Sequence, residues 1–262
     1  GLGMPISLNP MKAALAAGQV QLGTWINLAR NPAILTLLKS AGLDYARLDM
    51  EHSSPSMATV ADFAVLARAL NFPLVVRPPE GNREWITRLL DNGVWGLHIP
   101  QVDNADIARR VAEYARYAPD GMRGMGGLGP NNDFAPSGNT RADQAHMNAQ
   151  VHVTVMLECA EAFRELDAIC SVPGIDAVTL GPTDLAQELG VYGTPDEARI
   201  IDEHRLHLIE AANKHGKDVA MLVGALDQAE RWIKEGVKII AYSSDTAVLR
   251  DAYRAAANRL RQ

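Results

Sequence analysis

Val151-His-Val-Thr-Val-Met-Leu157 is a short run rich in β-branched residues. A segment of helical period, Glu161–Ser171, follows it, and then a second apolar run, Ile175-Asp-Ala-Val-Thr-Leu180. That order is one strand, one helix and one further strand. Each strand runs out into a carboxylate: Glu158 directly after Leu157, and Asp184 on the turn Gly181-Pro182-Thr183. Outward from this unit the same alternation continues in both directions. Strands are expected at 20–26, 45–49, 73–77, 94–99, 151–157, 175–180, 218–223 and 237–242. Helices are expected at 32–41, 56–70, 82–91, 104–116, 141–150, 161–171, 182–189, 196–215, 226–235 and from 246 to the end. Asn31-Pro32 illustrates the boundary chemistry, an N-cap residue followed by a proline whose missing N–H costs nothing in a first helical turn.

Eight strand–helix repeats with short connections in 262 residues predict an α/β fold, a (β/α)8 TIM barrel in a single domain spanning 1–262. The rival is a doubly wound open sheet, but no strand–Gly-x-Gly-x-x-Gly–helix unit opens the chain. Aromatic residues make up only 5% of a chain that is 47% hydrophobic, so the core is built from Ala, Leu, Val and Ile. A net charge of −6 argues against non-specific nucleic-acid binding. No apolar stretch has the roughly 18 residues of a membrane helix, so no membrane partner is expected. Residues 1–10 read as a flexible start or cloning remnant, with Met4 or Met11 as the natural first residue and no signal peptide. Cys159 and Cys170 lack metal-ligand spacing, and a reducing cytoplasm is the expected compartment.

In such a barrel the chemistry gathers at the C-terminal ends of the strands. The polar residues concentrate there: Trp25 and Asn27, then Asp49, Glu51 and His52, Arg77, Glu158, Asp184, and finally Ser243, Ser244 and Asp245. Neighbouring strands lie about 4.8 Å apart, so Glu158 and Asp184 can share one cation. Two carboxylates with the other positions open to water suit Mg²⁺ or Mn²⁺. Their structural alternative is a helix cap for Glu158 and a turn contact for Asp184. His52, with Asp49 and Glu51 beside it, is the candidate general base. Arg77 is the candidate partner for a keto-acid or enolate oxygen, with an ion pair to Asp49 or Glu51 as its structural alternative. The other six histidines, at 98, 146, 152, 204, 207 and 215, are assigned structural duty. The Gly-rich stretch 121–139 lacks a Gly-Lys-Ser/Thr signature and reads as a flexible substrate loop.

Taken in order, Lys12-Ala-Ala-Leu15, Leu22-Gly-Thr-Trp25, Leu48-Asp-Met-Glu-His52, Val75-Val-Arg-Pro78, Leu89-Leu-Asp-Asn-Gly93, Gly121-Met-Arg-Gly124, Leu157-Glu158 and Gly181-Pro-Thr-Asp-Leu185 resemble the HpcH/HpaI aldolases. These are class II hydroxy-keto-acid aldolases, such as those of 4-hydroxy-2-oxoheptanedioate, 2-keto-3-deoxyrhamnonate and 2-dehydro-3-deoxyglucarate. The resemblance implies a hexamer, a trimer of dimers exchanging C-terminal helices. It implies a divalent metal (Mg²⁺, Mn²⁺ or Co²⁺) on Glu158 and Asp184 with no organic cofactor, His52 as base and Arg77 as enolate stabiliser. Asp91 would reach across a subunit interface to His52, and Asp49 joins the catalytic set. Trp25 and Leu222 would shape the acceptor pocket, with Gly181, Pro182 and Thr183 also against substrate. The expected reaction joins pyruvate and an aldehyde, or reverses that step. Departures from the family pattern, at Met125–Phe134, Thr183 and Ser53-Ser54, bear on the acceptor. Related enolate chemistry of the citrate-forming type, or a non-catalytic metal–keto-acid sensor, are the alternatives. No lysine ends a strand where a Schiff base requires one, since Lys217 and Lys238 begin strands.

Overall fold

A computed structural model describes residues 5–135 and 140–262. Its strands are β1 (Gln21–Ile26), β2 (Tyr45–Asp49), β3 (Leu74–Arg77), β4 (Gly96–Ile99), β5 (His152–Leu157), β6 (Ala177–Leu180), β7 (Asp218–Val223) and β8 (Ile239–Ser244). They pair in parallel in chain order, and β8 pairs with β1, so the sheet closes into a (β/α)8 barrel. The described α-helices before β5 are α1 (Pro10–Ala16), α2 (Ala33–Ser40), α3 (Met57–Leu70), α4 (Arg83–Asp91), α5 (Ala105–Tyr114) and α6 (Arg141–Gln150). After it come α7 (Ala160–Arg164), α8 (Leu166–Cys170), α9 (Pro182–Glu188), α10 (Glu197–Lys214), α11 (Leu226–Lys234) and α12 (Asp245–Leu260).

Local chemistry starts the outer helices where the strands release the chain. The side chains of Ser56, Asn82 and Asn104 accept from the N–H groups of Thr59, Trp85 and Ile107, capping α3, α4 and α5. Between strands and helices runs the main apolar core, which includes Leu48, Phe63, Val76, Leu97, Val155 and Val178. A smaller cluster fills the lower barrel: Tyr45, Val75, Ala177, Ala220 and Ile239, closed from below by Met11 and Leu15 of α1. Tyr45 fits because Gly23 is its neighbour across the β1–β2 register. A Cβ at position 23 would stand 2.6 Å from the Tyr45 ring.

Several boundaries differ from the sequence reading. β4 and β6 begin two residues late, and β8 ends at Ser244 instead of Tyr242, with a register irregularity against β1 between Gly23 and Trp25. The expected helix at 161–171 is two short helices broken at Glu165. Helix α1 was not foreseen, because seven residues give too little period to read. At the start of the chain, residues 1–4 lie outside the described residues, whereas Ile6 is buried and Asn9 is hydrogen-bonded to Gln150.

The Gly-rich stretch needs correction as a loop over its own site; its last residues, 136–139, lie outside the described part. It joins the end of α5 to α6, and helix-to-strand connections lie at the barrel end away from the strand C-termini. Its contacts agree: Asp133 pairs with Arg68 in the last turn of α3, and Arg123 with Asp91 at the end of α4.

Candidate active site

Asp49 ends β2 and Arg77 ends β3, directly opposite in the register. They form a two-pronged pair: Arg77 Nε donates to Asp49 Oδ1 at 3.0 Å and Nη2 to Oδ2 at 2.9 Å. The Asp49 carboxylate also accepts from the backbone N–H groups of Glu51 and His52. Burial pushes the Asp49 carboxyl up, but these hydrogen bonds and the Arg77 charge outweigh it and hold it below the usual range. The structural alternative for Arg77, an ion pair, is therefore present. It uses two guanidinium N–H groups, and among the described residues the contact of Nη1 is the Met156 sulfur, at 3.9 Å. Asp49 thus fixes the plane of Arg77 and leaves the rest of the guanidinium on the lining of the cavities described below.

Glu158 does not cap α7; its Oε2 accepts the Gln101 backbone N–H at 2.7 Å. Gln101 adopts a left-handed backbone (φ 55°), which aims that N–H. Burial raises the Glu158 carboxyl to about 7; the Gln101 bond opposes this, while the charges of Glu51 and Asp184 and a hydrogen-bonding contact with Asp184 add to it. Glu51 is likewise raised, by burial first, with the charges of Asp49 and Asp184 against those of Arg77 and His52. Glu158 is pressed against Gly181, where a Cβ would stand 2.5 Å from its Cγ. Asp184 lies in the first turn of α9, which Pro182 opens.

These carboxylates crowd one spot with too little positive charge between them, and either a proton or a cation relieves that repulsion. The pair Glu158 and Asp184 fits a hard divalent ion: oxygen donors from adjacent strands, beside an open cavity that admits water and ligand oxygens. Among the described residues no group of three or more His, Cys, Asp or Glu side chains is arranged to hold an ion, so water or ligand would fill the remaining positions.

His52 stands at the rim with 68% of its side chain exposed, and its Nε2 is 3.4 Å from Glu51 Oε1. His52, Arg77, Trp25, Glu158, Gly181, Pro182, Thr183, Asp184 and Leu222 line one cavity of about 210 Å³. Asp49 opens instead on an adjoining cavity of about 420 Å³, which shares Trp25, Arg77 and Leu222 and adds Asn27, Ser243 and Ser244. Asp91 is not brought to the site of its own chain. It ends α4 at the other end of the barrel, 3.0 Å from Arg123. Asp245 is structural here, accepting from the backbone N–H groups of Asn27, Leu28 and Ala29 and tying down the loop after β1.

The sequence reading missed the floor. Arg47, His98, Met156 and Thr179, with Leu180, complete the lining of the smaller cavity. The signal for three of them was strand alternation: Arg47, His98 and Thr179 share the inward face, a position normally apolar in a barrel. Two histidines assigned structural duty are buried with ring nitrogens that find no hydrogen-bond partner among the described residues, contrary to the expectation of satisfied side chains. His98 Nδ1 and both ring nitrogens of His152 have no hydrogen bond. Burial pushes His98 well below the usual histidine range, reinforced by the charges of Arg47 and Arg77; burial likewise takes His152 to about 4. His146, His204 and His215 do find partners, in Ile6, Ile200 and Asp167.

The family described as HpcH/HpaI aldolase/citrate lyase matches residues 21–252. A 5-keto-4-deoxy-D-glucarate aldolase of Klebsiella pneumoniae is 34% identical over 247 residues, 93% of each chain. A crystal structure of an HpcH/HpaI aldolase from Desulfitobacterium hafniense superposes with a TM-score of 0.91 at 30% identity, covering 96% of both chains. The protein CitE of Mycobacterium tuberculosis, in complex with magnesium and pyruvate, shares the fold with a TM-score of 0.58 at 15% identity, covering 86% of each chain.

Proposed function

Because the chain belongs to the HpcH/HpaI aldolase/citrate lyase family, an enzyme family of aldolases and lyases, we propose that it is a divalent-cation-dependent aldolase that forms or cleaves the bond between a pyruvate-type 2-keto acid and an aldehyde. The observation that carries this reading is the meeting, in one cavity, of the Glu158–Asp184 carboxylate pair with the oriented guanidinium of Arg77.

Glu158 and Asp184 would hold the cation, which when bound supplies Lewis-acid polarisation of the keto group. Arg77, held flat by Asp49, presents its free edge to the oxygen on which negative charge develops. His52, exposed at the rim, takes a proton from the carbon next to the carbonyl and returns it in the reverse direction. Leu222 and Trp25 separate this cavity from the larger one, which receives the aldehyde beside Asn27, Ser243 and Ser244. Assembly of copies belongs to the same reading. Helix α12 has no buried residue, and Asp91 reaches a His52 only if that histidine belongs to a neighbour.

Exchange of the pyruvate methyl protons with deuterated solvent tests the proposal, since it needs enolisation and no aldehyde. Exchange is expected with Mg²⁺, Mn²⁺ or Co²⁺, and is expected to stop with EDTA. Undiminished exchange and aldol cleavage after exhaustive chelation would remove the cation from the mechanism. In Arg77→Ala both reactions should fall by about 10²–10³, the usual cost of one lost stabilising donor, with KM changing less than kcat.

A further inference from the structure

Arg47 lies on β2, one layer below Asp49, and only 2% of it is exposed. Four other arginines in this protein have well buried guanidinium groups, and each meets a carboxylate: Arg68 with Asp133, Arg77 with Asp49, Arg116 with Asp176 and Arg123 with Asp91. Among the described residues Arg47 pairs with no carboxylate, and its Nε has no hydrogen-bond partner. Its immediate company is aromatic. The guanidinium carbon is 5.0 Å from the Trp25 ring centre and 5.6 Å from that of Tyr45. Aromatic faces compensate a desolvated cation only in part, and a buried charge without an anion is destabilising.

That unpaired charge forms the floor of the cavity that Glu158, Asp184 and Arg77 line above. Trp25 connects the two levels, because Arg77 packs on the same ring at 4.5 Å. The rim carries four carboxylates, Asp49, Glu51, Glu158 and Asp184, against the single guanidinium of Arg77. With a divalent cation in place, those carboxylates still outnumber the positive charges by one unless Arg47 is included. A negative cavity repels an anionic keto acid, and more so the enolate, whereas a neutral one admits it.

We propose that Arg47 is an electrostatic positioning residue: its unpaired charge on the floor makes the cavity receptive to an anionic keto acid, acting across the cavity and through Trp25. This rests on the keto-acid reading above and specifies how the acid's charge is accommodated. The protein forgoes the internal partner given to its other buried arginines and keeps this charge for the ligand.

Calorimetric titration with oxalate, a planar anion that mimics the enolate of a keto acid, tests the idea in Mg²⁺ buffer on the whole protein, Arg47→Met and Arg47→Lys. Arg47→Met should bind oxalate at least tenfold more weakly, and should bind Mg²⁺ alone as tightly as the parent or more tightly. Its melting temperature should be unchanged or higher, since an uncompensated buried charge has gone. Arg47→Lys, which keeps the charge, should hold oxalate within a few-fold of the parent. Loss of anion affinity with cation affinity kept or raised cannot come from a general packing defect. Equal oxalate affinity in parent and Arg47→Met, an Arg47→Met chain that melts several degrees lower or does not fold, or an Arg47→Lys chain as weak as Arg47→Met would each overturn the inference. A parent protein that binds neither oxalate nor pyruvate would instead overturn the keto-acid reading itself.

Discussion

Glu158 is the side chain on which burial and neighbouring charge act together. Its carboxyl is raised from about 4.5 to about 7, by burial first and then by its acidic neighbours. A folded-state value above the unfolded one means that the stabilising protonated form is fully present below about pH 4.5. That contribution is lost as pH rises through about 7. Chelated protein should therefore melt at a lower temperature near pH 8 than near pH 5. Glu158→Gln should remove this part of the pH dependence in a calorimetric scan, and an unchanged profile would show that Glu158 is ionised throughout. Gly181 supports the same carboxylate, because a methyl group there would stand 2.5 Å from Glu158 Cγ. Gly181→Ala should weaken Mg²⁺ binding by about 10–100-fold, as losses of ligand support typically do, while the circular-dichroism spectrum stays native. Glu158 and Asp184 stood out as candidates because one directly follows an apolar strand and the other lies in the first turn after the next strand. The raised value of Glu158 was not legible in the sequence, since it depends on Glu51 and on the Gln101 N–H, which belong to other strands' loops.

At the scale of elements, the strands were legible and the devices that close the barrel were not. Runs such as Val153–Leu157 carry their strand assignment in β-branched content and alternation. Helix α1 carries no comparable signal in seven residues, yet Met11 is 1% exposed and plugs the lower barrel with Leu15 against Tyr45 and Ile239. Met11→Ala should cost about 2–5 kcal/mol, the usual range for truncating a fully buried large apolar side chain. Urea unfolding measures it. Activity per folded molecule should persist, because α1 lies at the end of the barrel away from the rim. A loss of turnover without loss of stability would place α1 in the catalytic cycle instead. The Gly-rich stretch taught the converse: its composition suggested a loop over the site, but its place between α5 and α6 put it at the opposite end.

For the whole molecule, the two ends of the barrel pose one question. Asp91 lies at the lower end beside Arg123, whereas His52 stands at the upper rim. Helix α12 leaves Val248, Leu249, Tyr253 and Leu260 exposed, and Leu249, Tyr253 and Leu260 recur at the spacing of one helix face. If a second copy covers it, Leu249→Glu with Tyr253→Glu should shift the sedimentation coefficient to a smaller species. Activity should fall with it if Asp91 completes a neighbour's site. A parent protein that sediments as a fully active monomer would end both ideas.

The sequence by itself specified the number and order of the strands, most of the helices between them, and the polar residues that end or follow the strands at the rim. Alternation and apolar period are local properties, and in a barrel the end of a strand is the place of chemistry. Only the tertiary structure decided which charges neutralise one another. It paired Arg77 with Asp49, drew Glu51 towards Glu158 and Asp184, and left Arg47 beneath them with no carboxylate partner among the described residues. Such balances depend on distances between strands far apart in the chain and on the burial that sets the strength of each charge, neither of which is written in local sequence.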